Sequence, residues 1–250
     1  KDDPDETAAN YRRLGFDYLA LTDHDRIYAA GEVRRAFKSV PIDLTLIDGE
    51  ELEMPGSPFH IVNLGGKTSV GRIYRFEPER YRAEIRETEE AFKDAGPMKY
   101  YLARAKWASD RIHESGGAAV LVHPFWIHGD TYNHDIPTFV KLLSSGWFDI
   151  YEVADDMQTH GNNLGNAFYS DIAAEGPILP VIGSSDAHNT LDNPSFNCVY
   201  SVVLAEDNTQ KSIINAMLAS RSAAVERAPK QGFEWSYRRV FAIPTPDCTY

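Results

Sequence analysis

Along this 250-residue chain, short β-branched or aromatic runs alternate with longer helical stretches, and that alternation restricts the fold more than any other feature. The strand-like runs are Asp17 to Thr22 (DYLALT), Ile42 to Ile47, His60 to Leu64, Ala118 to Val122, Asp149 to Val153, Ile178 to Ile182 and Cys198 to Leu204. Between and around them the pattern predicts helices over Glu6 to Leu14, Ala29 to Phe37, Glu79 to Asp94, Lys99 to Glu114, Pro137 to Ser145, Asn163 to Glu175 and Gln210 to Ala219. Gly15, Gly116-Gly117, Gly146 and Gly176-Pro177 follow four of these helices, where a C-terminus favours glycine. This is the pattern of an α/β protein with a mostly parallel sheet, and seven strands point to a closed barrel.

Two stretches break the rhythm. Gly65 to Pro78 is a Gly-rich, basic loop leading into the consecutive helices between Glu79 and Glu114, which is more chain than a crossover needs. It reads as an insertion, at about 65–115, into a barrel domain spanning 1–228. Residues 229–250 are rich in Pro and aromatics without a clear period and are expected to pack over the barrel wall.

Composition narrows the function. A net charge of -12 disfavours extended nucleic-acid binding, which draws its affinity from Lys and Arg displacing counterions. No apolar run approaches the roughly 20 residues of a membrane span. The two cysteines, Cys198 and Cys248, indicate neither a disulfide framework nor a thiolate zinc cluster. The chain opens on Lys1 without a visible signal peptide, which slightly favours the cytoplasm and leaves secretion open. Oligomeric state is not legible here.

The polar residues that carry chemistry gather at strand ends. Asp23, His24 and Asp25 follow the first strand in LALTDHD, and Glu50 and Glu51 follow the second in LIDGEELE. His123 follows another in LVHPFW, Glu152, Asp155 and Asp156 lie near the end of DIYEVADD, and Asp186 and His188 follow in VIGSSDAHN. In a parallel α/β barrel the C-terminal ends of successive strands converge on one face, so these distant clusters become neighbours. Each alone has a plain structural explanation, such as a helix N-cap for TDHD; their joint placement points to metal ligation. Imidazole with carboxylate suits zinc, manganese or iron, and two cations about 3.5 to 4 Å apart can activate water and stabilise both oxygens of a phosphoester displacement.

The order TDHD, G-x-E, a His opening a strand, His-Pro and G-S-x-D-x-H resembles the polymerase and histidinol phosphatase (PHP) superfamily, over about Asp5 to His188. The resemblance implies a distorted (β/α)7 TIM-like barrel, two or three divalent metal ions (Mn, Fe or Zn) and hydrolysis of a small phosphorylated metabolite or nucleotide. It implies that His24 is a ligand or lies near the phosphate, with Asp23 its acidic neighbour. Glu51 becomes the bridging carboxylate, with Glu50 as the alternative if the register slips by one. His60 and His123 become ligands of the second metal, Asp186 of the first, and His188 faces a third metal or the substrate. His60 begins its strand rather than ending it, so the barrel rule does not send it to the site and only the resemblance does. The family's first strand, ending in H-x-H, is absent here. The resemblance therefore implies a chain shortened past that strand, or a degenerate member, with the second metal's ligands more complete than the first's, incomplete metal binding, and weak or no activity.

On this reading a metal-bound hydroxide attacks phosphorus, and Asp23, His24 or His188 protonates the leaving oxygen. Arg26, directly after TDHD, is a candidate phosphate donor, as are Arg72 and Arg75 if the insertion closes, and His160 is a candidate substrate contact. Competing readings are a nuclease acting on short oligonucleotides, a non-catalytic binding domain, and, more distantly, an amide or lactone hydrolase.

Overall fold

The computed structural model describes residues 2–128, 131–155, 159–174, 178–191, 196–227 and 238–242. In chain order the elements are α1 (Pro4–Arg13), β1 (Tyr18–Leu21), α2 (Ala29–Ala36), β2 (Thr45–Leu52), β3 (Ile61–Leu64), α3 (Gly71–Phe76), α4 (Pro78–Ala91), α5 (Lys99–Glu114) and β4 (Ala118–Leu121). There follow β5 (Ile127–His128), β6 (Thr131–Tyr132), α6 (Ile136–Leu143), β7 (Ile150–Ala154), α7 (Thr159–Ala173), β8 (Val181–Gly183), β9 (Val199–Val203), α8 (Gln210–Leu218), β10 (Ser222–Arg227) and β11 (Arg238–Ala242).

Local chemistry explains the helix starts. Pro4 opens α1, with Asp5 and Glu6 in its first turn and Arg12 and Arg13 in its last, the polarity a helix dipole favours. The Asp135 carboxylate caps α6 by accepting from the Thr138 N–H at 2.7 Å, and Phe139, Leu142 and Leu143 bury the helix's apolar face. Thr209 caps α8 in the same way, its hydroxyl 3.2 Å from the Ser212 N–H.

The main sheet has the strand order β1-β2-β3-β4-β7-β8. Residues of both edge strands, Ala20 in β1 and Ile182 in β8, line one cavity, so the sheet curls into a half-barrel. The sheet is mostly parallel, as expected, through β1–β2, β4–β7 and β7–β8, and β3 is the exception, antiparallel to both β2 and β4. One expectation changes: the seventh expected strand does not close the curl, because β9 pairs with β10 and β11 in a separate antiparallel sheet. Side-chain hydroxyls meet the edge of β8 instead of a ladder. Ser201 Oγ accepts from the Gly183 N–H at 2.9 Å and donates to its carbonyl at 2.8 Å, and Ser222 Oγ donates to the Val181 carbonyl at 2.7 Å. A β-carbon on Gly183 would lie 3.0 Å from both Ala224 Cβ and Val199 Cγ1, which is why the crossing strands approach at a glycine.

The concave face of the half-barrel carries Ile47, Leu64, Val120, Val122, Ile150 and Ile182, joined by Ile213 and Met217 of α8. Ile214 abuts Gly65, just after β3, so α8 plugs the end of the curl opposite His60. The convex face packs Leu52, Ile61, Ala119, Leu121, Tyr151 and Val153 against the long inserted helices and α6. Of the expected tail only β11 lies within the described residues, and there it forms a strand.

Candidate metal centre

The site begins with the pleat of β2. Successive side chains in a strand face opposite sides. Ile47 therefore faces the concave core, Leu46 the convex one, and Asp48 pairs with Arg34 of α2 at 2.7 Å. Continuing the alternation puts Glu50 outside and Glu51 inside. Glu50 accepts hydrogen bonds from Asn63 Nδ2 (3.0 Å), Ser69 Oγ (2.6 Å) and the Val70 N–H (2.6 Å), holding the turn into α3. Glu51 lines the concave cavity. The strand runs on through both glutamates, past the expected end at Ile47, because β3 pairs with it from Gly49↔Leu64 to Leu52↔Ile61.

That pairing also resolves the position of His60. Since β3 runs backwards, its N-terminal end lies beside the C-terminal ends of β2 and β4, where Ile61 faces both Leu52 and Leu121. His60 Nδ1 lies 2.6 Å from Glu51 Oε1, and His123 Nε2 lies 3.0 Å from the same oxygen. His123 follows β4 at a position that strict alternation would turn outward; a φ of 24° turns the chain and brings the ring in. His24 reaches the group from the loop after β1, its Nε2 3.9 Å from Glu51 Oε2. Non-glycine residues with positive φ include Asp25, His123 and Asp186, all beside this cavity or one residue from its lining, and strained backbone of this kind concentrates at functional sites.

The donors suit a divalent cation. Ligand atoms of His24, Glu51 and His60 lie within 4.8 Å of one another. Zinc binds imidazole nitrogen at about 2.0 to 2.1 Å, so ligands of one ion sit within about 4 Å of each other, and small side-chain rotations cover the difference. Nδ1 of both His24 and His123 is buried without a hydrogen-bond partner. Burial works against the Glu51 carboxylate, but hydrogen bonds from His123 and His60 and their positive charge outweigh it and hold its pKa well below the usual range. Burial likewise opposes charging His123, yet Glu51 holds its pKa up at about 9.

The cavity, about 200 Å³, is lined by five acidic residues (Asp2, Asp23, Glu51, Glu152 and Asp186), three histidines (His24, His123 and His188) and several hydroxyls; no Lys or Arg is among the described residues lining it. Burial pushes Glu152 up to about 8 against the opposing charge of His123; it accepts from the His123 N–H at 2.7 Å and from the Ser184 hydroxyl. Burial and the charge of Glu51 also raise Asp186. Carboxylates crowded at this density without basic side chains are what a cation would relieve.

The structure thus brings Asp23, His24, Glu51, His123, Asp186 and His188 to one cavity, with His60 bonded to Glu51 at its edge. His188 is half exposed, its Nδ1 2.9 Å from the Asp186 carbonyl oxygen. Arg26 is not brought in: it is exposed, with its guanidinium 5.8 Å from the centre of the Tyr28 ring. The side chain of His160 lies outside the described residues, as does Asp156. Among the other polar lining residues, Glu152 was named only as part of a strand-end cluster, and Tyr11 and Ser185 were not named at all. Glu152 is the lone charge in the apolar strand IYEVA, a signal visible in the sequence. Tyr11 and Ser185, whose hydroxyls meet at 2.8 Å, carry none, because α1 and the loop after β8 are 174 residues apart in the chain.

No protein-family model and no curated protein matches the chain. Solved structures do. A Bifidobacterium adolescentis protein assigned as a metal-dependent phosphoesterase aligns with a TM-score of 0.54 at 15% identity, over 88% of this chain and 91% of that one. The two share a fold. An amidohydrolase from Chromobacterium violaceum, solved with bound sulfate and no metal, aligns with a TM-score of 0.49 at 18% identity over 74% of this chain and 82% of its own.

Proposed function

We propose that this chain is a metal-dependent phosphoesterase of the PHP type that acts on a small phosphorylated substrate. One observation carries the reading: His24, Glu51, His60 and His123, from four separate segments, converge at one end of the half-barrel around a single carboxylate. The assignment of the Bifidobacterium protein that shares the fold supports it.

His24, Glu51, His60 and His123 would hold a cation, with Asp186 available from the loop after β8. A divalent ion held by these residues would supply Lewis-acid polarisation of a phosphoryl oxygen and offset its charge, a role no Lys or Arg among the described lining residues can take. His188, at the exposed side, is placed to give a proton to the leaving oxygen as it departs toward solvent. Glu152, which burial pushes up to about 8, accepts from the His123 N–H and so steadies the backbone of that ligand. The volume of about 200 Å³ and the net charge of -12 favour a small monoester over an oligonucleotide.

The test is turnover of p-nitrophenyl phosphate and its bis ester with Mn, Fe or Zn added, alongside elemental analysis. Metal-dependent hydrolysis that His123→Ala abolishes is the expected result. No hydrolysis of either ester together with no bound metal would overturn the proposal, and release of mononucleotides from short oligonucleotides would replace the substrate class.

A further inference from the structure

Asp25, the second acidic residue of TDHD, is held from several sides. Its Oδ1 accepts from the Glu53 N–H at 2.9 Å and from the hydroxyl of Tyr74, a buried residue of α3. Its own N–H donates to the Glu51 carbonyl at 2.8 Å, and its carbonyl accepts from Ser69 Oγ at 3.3 Å. Arg75 of α3 lies 3.9 Å from its other carboxylate oxygen. The residue sits at a φ of 57°, a left-handed conformation that needs outside support. At Gly71 the helix comes so close that a β-carbon would stand 2.6 Å from Asp25 Cα.

These contacts tie the loop bearing His24 to two elements: the end of β2, which carries Glu51, and the inserted helix α3. We infer that Asp25 and Tyr74 are positioning residues, and that α3 is the part of the insertion that sets His24 against Glu51 and His60. Burial and the Asp25 charge keep the Tyr74 hydroxyl protonated far above neutral pH, so it remains a donor. Neither residue is among those lining the cavity. The inference rests on the metal reading for its consequence, although the clamp itself is a property of the protein alone.

Two measurements on the full chain separate these layers: cobalt(II) titration followed by visible absorption, and the His24 ring resonance in metal-free protein, assigned through His24→Gln. Tyr74→Phe and Asp25→Ala should each weaken cobalt binding about tenfold, the low end for losing an outer support of a ligand, and should move the His24 resonance. Asp25→Asn should stay within about twofold of the parent affinity, because asparagine tolerates positive φ and its carbonyl accepts the same two hydrogen bonds. Tyr81→Phe deletes a hydroxyl from the adjacent ring, 5.5 Å away, that bonds the Pro55 carbonyl and not Asp25; it should match the parent. Parent affinity and an unmoved His24 resonance in Tyr74→Phe would overturn the inference, as would an equal loss in Tyr81→Phe. Should Tyr74→Phe not fold, the Asp25→Ala and Asp25→Asn pair decides. A parent that takes up no cobalt, while Tyr74→Phe still moves His24, leaves the clamp standing and removes the metal reading.

Discussion

Glu50 and Glu51 differ by one position, and the pleat of β2 gives them opposite surroundings. Glu50 satisfies a turn on the convex side; Glu51 gathers two imidazoles on the concave side. The sequence motif favours Glu51 and keeps Glu50 as the alternative if the register slips by one, and the pleat puts Glu51 on the side of the imidazoles. Substitution should separate them. Glu51→Gln removes the charge while keeping the shape and should weaken metal binding by at least about tenfold, and it should also lower the stability of the metal-free fold near neutral pH, because the buried carboxylate bonds both His60 and His123. Glu50→Gln should weaken metal binding far less, acting only through the turn into α3, and cost about 1 to 3 kcal/mol, since an amide N–H₂ would face donors where an oxygen now accepts. Metal titration and urea unfolding on both variants check the pair; a reversal of the two effects would mean the register is the other way.

At the scale of elements, the antiparallel β3 does most to build the site, because it delivers a strand start where every parallel neighbour delivers a strand end. Nothing in the run HIVNL declares its direction. Direction follows from a connection length that the structure sets by extending β2 past its expected end at Ile47 to Leu52: only eight residues then separate β2 from β3, too few for the crossover of a dozen or more that a parallel pairing requires. The same elements explain why the curl stays open at β8. Ser201 there answers both the N–H and the carbonyl of Gly183. Ser201→Ala should therefore lower stability by about 1 to 3 kcal/mol, the cost of leaving buried backbone groups unpaired. A chemical-denaturation midpoint unchanged from the parent would show that water replaces the hydroxyl.

For the molecule as a whole, acidic residues concentrated in one cavity make folding and cation binding linked equilibria. A cation at a hundredfold excess over its Kd should add about 2.7 kcal/mol. For a chain of this length that raises the thermal midpoint by about 5 to 10 °C. A chelator should reverse the shift, and His123→Ala should abolish it. Calorimetry with and without Mn or Zn reads all three, and a midpoint indifferent to metal in the parent would contradict the linkage.

Most helices and strands were legible because local rules place them: hydrophobic period, caps, and glycines after helices. So were most of the titratable residues that gather at the cavity, since His and acidic clusters terminating apolar runs stand out in one dimension. Tertiary structure alone decided which face each occupies, which strand runs backwards, that Tyr11 and Ser185 meet at the cavity, and that Tyr74 bonds Asp25. The physical reason is that periodicity is a property of neighbours in sequence, whereas strand direction, register and long-range hydrogen bonds depend on how the chain closes on itself. Thus TDHD announced His24 by its composition, and only the packing of α3 against that loop showed what holds it there.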